Sequence, residues 1–144
     1  MSSTLAKDFR AWLTSQAIIA HTVKGRVLED SAPDDDAKPY IVFHQTGAIE
    51  ETDLDGVGGL EVVNFDLEVR ADRQAEADVI ANEVKRLING FPQSTLEGSE
   101  RKWNGRGISF AAITDHSKDY EILPVGSFET DSIHALLIEV YADG

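Results

Sequence analysis

Along residues 62–71 apolar and polar positions alternate, with Val63, Phe65, Leu67, Val69 and Ala71 on one face and Asn64, Asp66, Glu68 and Arg70 on the other. A period of two predicts a strand with one face in a core and the other in water or against a partner. The period then changes. Ala77, Ile80, Ala81, Val84, Leu87, Ile88 and Phe91 recur at helical spacing and draw one apolar stripe. Asp72 stands at the expected N-cap, with Glu76 and Asp78 near the positive end of the helix dipole and Lys85 and Arg86 in the last turns. Asn89-Gly90 followed by Phe91-Pro92 is expected to stop the helix. A half-buried strand that feeds an amphipathic helix implies that the helix lies back across a sheet.

The same patterns organise the rest of the chain. Leu5, Phe9, Trp12 and Leu13 form a stripe that predicts a first helix over residues 4–15, with Trp12 as a buried anchor. Residues 22–28 read as a short strand interrupted at Gly25, and residues 39–46 as a strand apolar on both faces, so that something must cover each side. Residues 47–59 read as a long acidic hairpin tip, carrying Glu50, Glu51, Asp53 and Asp55 and then Gly56, Gly58 and Gly59. After the second helix, residues 94–102 are polar and irregular, and Asn104-Gly105 marks a turn. Residues 106–114 alternate with Ile108, Phe110 and Ala112 on one side; residues 118–131 read as a connection, and residues 133–141 as a closing strand. The expectation is an α+β protein, one domain over residues 1–144, with a mostly antiparallel sheet of about five strands and two helices on one face.

Charge narrows the function classes. Twenty-six acidic residues against 13 basic ones give a net charge of −13 and show no cluster of Lys and Arg, which argues against attraction to DNA phosphates or an anionic membrane. With no cysteine there is no disulfide framework, thiolate metal site or cysteine nucleophile, which suits a reducing cytoplasm. No run approaches a membrane span. Glu51, Asp53, Asp55 and Gly56 imitate the opening of an EF-hand loop, but its twelfth position would be Val62 rather than a bidentate glutamate. Asp34, Asp35 and Asp36 read as a solvated loop, since adjacent carboxylates on an extended chain point apart and calcium needs about 6–8 oxygens. The glycines of the tip lack the Gly-Lys-Ser/Thr of a phosphate cradle. His21, His44, His116 and His134 have no zinc spacing, and no serine sits in a G-x-S-x-G elbow. His44 and His134 fall inside strand patterns and read as satisfied core or interface histidines. No enzyme, cofactor or metal is expected.

Several short phrases carry a resemblance: Gly25-Arg26-Val27, Ala32-Pro33, Pro39-Tyr40-Ile41-Val42-Phe43, the glycine and acid-rich tip, the strand over 62–71 and the helix over 75–88. In that order they resemble the tail-completion family of long-tailed bacteriophages, the small tail-terminator or tail-to-head joining proteins. The resemblance covers residues 4–91 well and the last two strands more loosely. It implies an α+β protomer that assembles into a ring, expected to be a hexamer, capping the tail tube at its head-proximal end in the virion after assembly in the host cytoplasm. The implied partners are further copies of the chain, the tail tube protein and the head-tail connector protein, with DNA only as cargo passing the lumen and no membrane. Glu50, Glu51, Asp53, Asp55, Val57 and Leu60 are the expected interface residues. Two competing readings are a head-side connector or stopper component and, from a different class, a small cytoplasmic α+β ligand-binding domain.

Overall fold

The alternating strand and the helix behind it are the centre of the molecule. A computed structural model describes residues 4–30, 38–50, 60–122 and 130–143. In chain order the elements are α1 (Thr4–Ser15), α2 (Ala17–Val23), β1 (Val27–Glu29), β2 (Tyr40–Glu50), β3 (Leu60–Ala71) and α3 (Gln74–Ile88). A 3-10 turn (Gly98–Arg101), β4 (Lys102–Trp103), β5 (Arg106–Ile122) and β6 (Thr130–Asp143) follow. Val63, Phe65, Leu67, Val69 and Ala71 of β3 are all fully buried, as the alternation predicts. Ala77, Ile80, Ala81, Val84 and Ile88 of α3 are buried against them.

The sheet order is β1-β2-β3-β6-β5-β4. β1 runs parallel to β2, and the β2–β3, β3–β6 and β6–β5 pairs are antiparallel. The fold is therefore α+β with a mostly antiparallel sheet; a two-residue sixth strand and a third helix, α2, extend the expected pattern. α1 and α3 pack on the same face, where the core is an aromatic cluster centred on Phe9. The Phe9 ring stacks on Phe65 at 5.0 Å, meets Phe43 edge-on at 5.0 Å and touches Trp103 at 5.2 Å. Trp12, 8% exposed, stacks on Trp103 at 4.7 Å and is the expected anchor. Offset and edge-on aromatic pairs add to the burial free energy of such large side chains.

Four expectations change. Residues 22–28 are not one strand: Ile19 and Val23, one helical turn apart, both bury, so α2 runs to Val23. Lys24 (φ 52°) and Gly25 (φ 81°) then turn the chain into β1. Asp72 does not cap α3; Arg73 occupies the N-cap without a side-chain bond, and Asp72 lies 3.6 Å from Lys38 instead. Residues 47–50 continue β2, and residues 118–122 and 130–131 belong to β5 and β6 rather than to a connection, because the long ladders keep pairing there. β2 is covered evenly on one face only: Ile41 and Phe43 are fully buried, whereas on the other face Tyr40 is buried and His44 is exposed. Asn104 (φ 51°) and Gly105 (φ 83°) form the expected two-residue hairpin between β4 and β5, with both positions at the positive φ this turn requires.

Candidate interaction surface

Every helix that packs on the sheet does so from the side of Phe65, so the opposite face is bare among the described residues. Strand pairing places Tyr40, Val42 and His44 of β2 there, next to Asn64, Asp66, Glu68 and Arg70 of β3. Ala135, Leu137, Glu139 and Tyr141 of β6 follow, then Phe110, Ala112, Asp115 and Ser117 of β5. The chemistry of this face is acid with isolated apolar groups. Asp66, Glu68, Asp115 and Glu139 share this face with Arg70, whose guanidinium lies 2.7 Å from Glu68. His44 is 3.8 Å from Asp66. Phe110 and Leu137 are 45% and 42% exposed, large apolar groups left open on a face that also holds Tyr141, 6.1 Å from Phe110.

Of the expected interface residues, Glu50 ends β2 opposite Glu61, and Leu60 begins β3 opposite Asp143. Glu51, Asp53, Asp55 and Val57 lie outside the described residues. The backbone thus brings Glu50 and Leu60 to one end of the β2–β3 hairpin.

A polar chain that sequence spacing did not reveal ties α3 to the sheet. Asp78 Oδ1 accepts from Lys118 Nζ at 2.9 Å and from His134 Nε2 at 2.7 Å, and His134 Nδ1 meets His116 Nε2 at 2.7 Å. With Nε2–H donating to Asp78, the Nδ1 of His134 is left to accept from His116 Nε2–H. His134 is 3% exposed and satisfied at both nitrogens, the expected role for that residue. Lys118 and then His134 hold the Asp78 carboxyl below its ordinary range. Burial lowers the His116 pKa, with Lys85 the next cause. These groups form a line rather than a converging shell, and no group of described residues could hold a metal ion. On the helix side, a groove of about 450 Å³ is lined by Trp12, Arg86, Leu87, Phe91, Lys102 and Asn104, among others. No described helix is long and apolar enough to cross a membrane.

Comparison with known proteins decides the family. The model of the family described as tail completion protein gp17 matches residues 7–107. The chain belongs to that family. Among solved structures, a chain of the "Virion of native gene transfer agent (GTA) particle" is similar at 18% identity and a TM-score of 0.63, covering 99% of this chain and 100% of that one. At that identity the likeness is one of fold. A search of curated proteins finds no match. By that family the chain is a structural protein of a phage-type tail, and among the described residues its surface offers a bare sheet face.

Proposed function

We propose that this chain is the tail terminator, a single tail-terminator-like domain over residues 1–144 that closes the head-proximal end of the tail tube as a ring of copies. It joins the tube to the head connector, leaves a lumen for DNA and performs no catalysis. The reading rests above all on the family match over residues 7–107. The full-length similarity to a chain of a virion particle supports it, as does a sheet face left bare by every helix. Among the described residues the outer strands of the sheet are only partly paired, and unpaired strand edges want partners, which neighbouring copies supply. A negative net charge of −13 suits a channel that DNA must traverse without adhering. Assembly in the host cytoplasm precedes incorporation into the virion.

The test mixes the purified chain with polymerised tail tube protein and images the tubes by electron microscopy. A cap at one end of each tube is expected, with tube growth arrested there. Tubes decorated along their length, or tubes that grow unchanged, would contradict it. Reversing Glu50, Glu51, Asp53 and Asp55 to lysine is expected to slow DNA ejection if the tip borders the lumen; unchanged ejection removes that role from the tip.

A further inference from the structure

Among the described residues, both edges of the sheet are closed along one half and open along the other. β1 covers β2 only at Ile41–Phe43, ending where Asp30 N–H donates to the Phe43 carbonyl at 2.8 Å. Among the described residues, nothing pairs with the outer edge of β2 over residues 44–50. At the far side, β4 covers Arg106 and Gly107, and Phe91 bridges Ala111. The Ile113 N–H then donates to Asn89 Oδ1 at 3.2 Å. From Thr114 to Ile122, the outer edge of β5 is open among the described residues. An open edge of this length is a template for another strand, and isolated proteins usually blunt such edges.

The two open halves fit each other in direction. β2 and β5 run in opposite senses across the sheet. Copies related by rotation about an axis along the strands would therefore meet as an antiparallel pair, the more stable ladder. They also fit in height. Across the ladders the centre of the open part of β2, Gly47, is level with Ala112, whereas the centre of the open part of β5 is Lys118. Measured along β6, from Glu139 to His134, that displacement is about five residues, or ~17 Å at ~3.3 Å per residue. A closed barrel in which each copy supplies four long strands needs a shift of ~16 Å per copy, given strands ~4.8 Å apart and a tilt of ~40°.

The sense of the displacement agrees as well. Viewed from the helices with β2 pointing up, a passage from β3 through α3 to the parallel β5, right-handed as such connections are, puts β5 on the left and β2 on the right. With the helices outside, right-handed twist makes barrel strands climb to the right. The upper half of one copy's β2 then meets the lower half of the next copy's β5, and these are the open halves.

We infer that copies of this chain join edge to edge, residues 44–50 of one pairing antiparallel with residues 114–122 of the next, into one continuous barrel. The inference rests on the ring reading above and names the surface that builds the ring. The helix layer occupies the longer outer circumference, so the bare face lines the channel. Asp66, Glu68, Asp115 and Glu139 then face the lumen and repel phosphate.

The chain has no cysteine, so engineered thiols report the seam without background. Gly47 and Ser117 lie on the bare face, near the centres of the two open stretches. A Cβ at Gly47 meets nothing nearer than Asn64 Nδ2 at 3.8 Å, and Ser117 is exposed. The double variant Gly47→Cys/Ser117→Cys is assembled with tail tube protein and treated with a short bismaleimide, while light scattering gives the particle mass. The expected result is a ladder of covalent multimers ending at the ring's mass, with neither single variant linked. The pair Gly47→Cys/Asp115→Cys reads the same seam if the first folds poorly. Ring-sized particles without a ladder from either pair, or single variants that dimerise through like edges, overturn the edge pairing alone. A chain that stays monomeric beside tube protein overturns the ring reading and the seam with it.

Discussion

On the helix-covered side of the sheet, Phe9 is sealed among Trp12, Phe43, Phe65 and Trp103; on the bare side, Phe110 stays 45% exposed beside Tyr141. The same strands carry both faces, so the difference lies in what each face has been given to pack against. The covered side removes large rings from water and fixes their geometry, which is where the stability of the lone chain resides. The bare side places carboxylates between apolar groups, a surface that costs the monomer little and leaves the sheet edges accessible. Folding thus rests on the covered face, and the proposed assembly on the strand edges, with the bare face left to the channel.

That division predicts a graded series of effects. Phe9→Ala is expected to be the most damaging, costing about 3–5 kcal/mol in urea unfolding, since a buried ring is replaced by a cavity. A loss below about 1 kcal/mol would mean that the covered face is not the seat of stability. The polar chain behind α3 comes next and is visible through pH. The lowered His116 pKa means that the unfolded chain takes up a proton more readily than the folded one. Its contribution is therefore complete above pH 6.5, the ordinary histidine value, and is lost as pH falls towards the lowered folded value. Asp78, also lowered, adds a second loss below pH 3.8. Thermal unfolding from pH 8 to pH 5 should show the first decline, and His116→Asn should flatten it. Equal slopes in wild type and variant would remove His116 from the account. Smallest of all, Leu137→Ser on the bare face should change unfolding stability by no more than about 0.5 kcal/mol, as an already exposed group. A large loss there would show that the lone chain depends on the bare face after all.

Much of the covered side could be read from sequence. α1 spans the residues its stripe predicted, β3 buries its alternating set, and the Asn104-Gly105 turn is where it was expected. The bare side was harder for definite reasons. Register shifts at Ile108/Phe110 and Ile113/Asp115 break the period of two in β5, so Ile108 and Ala111 turn inward while Phe110 turns out. No alternation of residues 106–114 contains that information. The same shifts bring His116 to the inner face, level with Leu136 and within reach of His134, which is 18 positions away in sequence. Asp78 joins from a helix, 56 positions from His134, so the chain of polar groups exists only once three elements have packed. The strand-like β-branched pair Thr22-Val23 concealed α2, where burial of Ile19 and Val23 prevails over local propensity. The open edges, too, follow from where β1 and β4 stop pairing rather than from any motif.

Hydrogen–deuterium exchange, compared between the free chain and the chain assembled on tail tube, tests the division between the two sides most directly. The account predicts that amides of residues 44–50 and 114–122 become protected on assembly, while those of α3 and the core of β3 exchange alike in both states. Protection gained mainly on α1 and α3, with both strand edges exchanging as before, would contradict it.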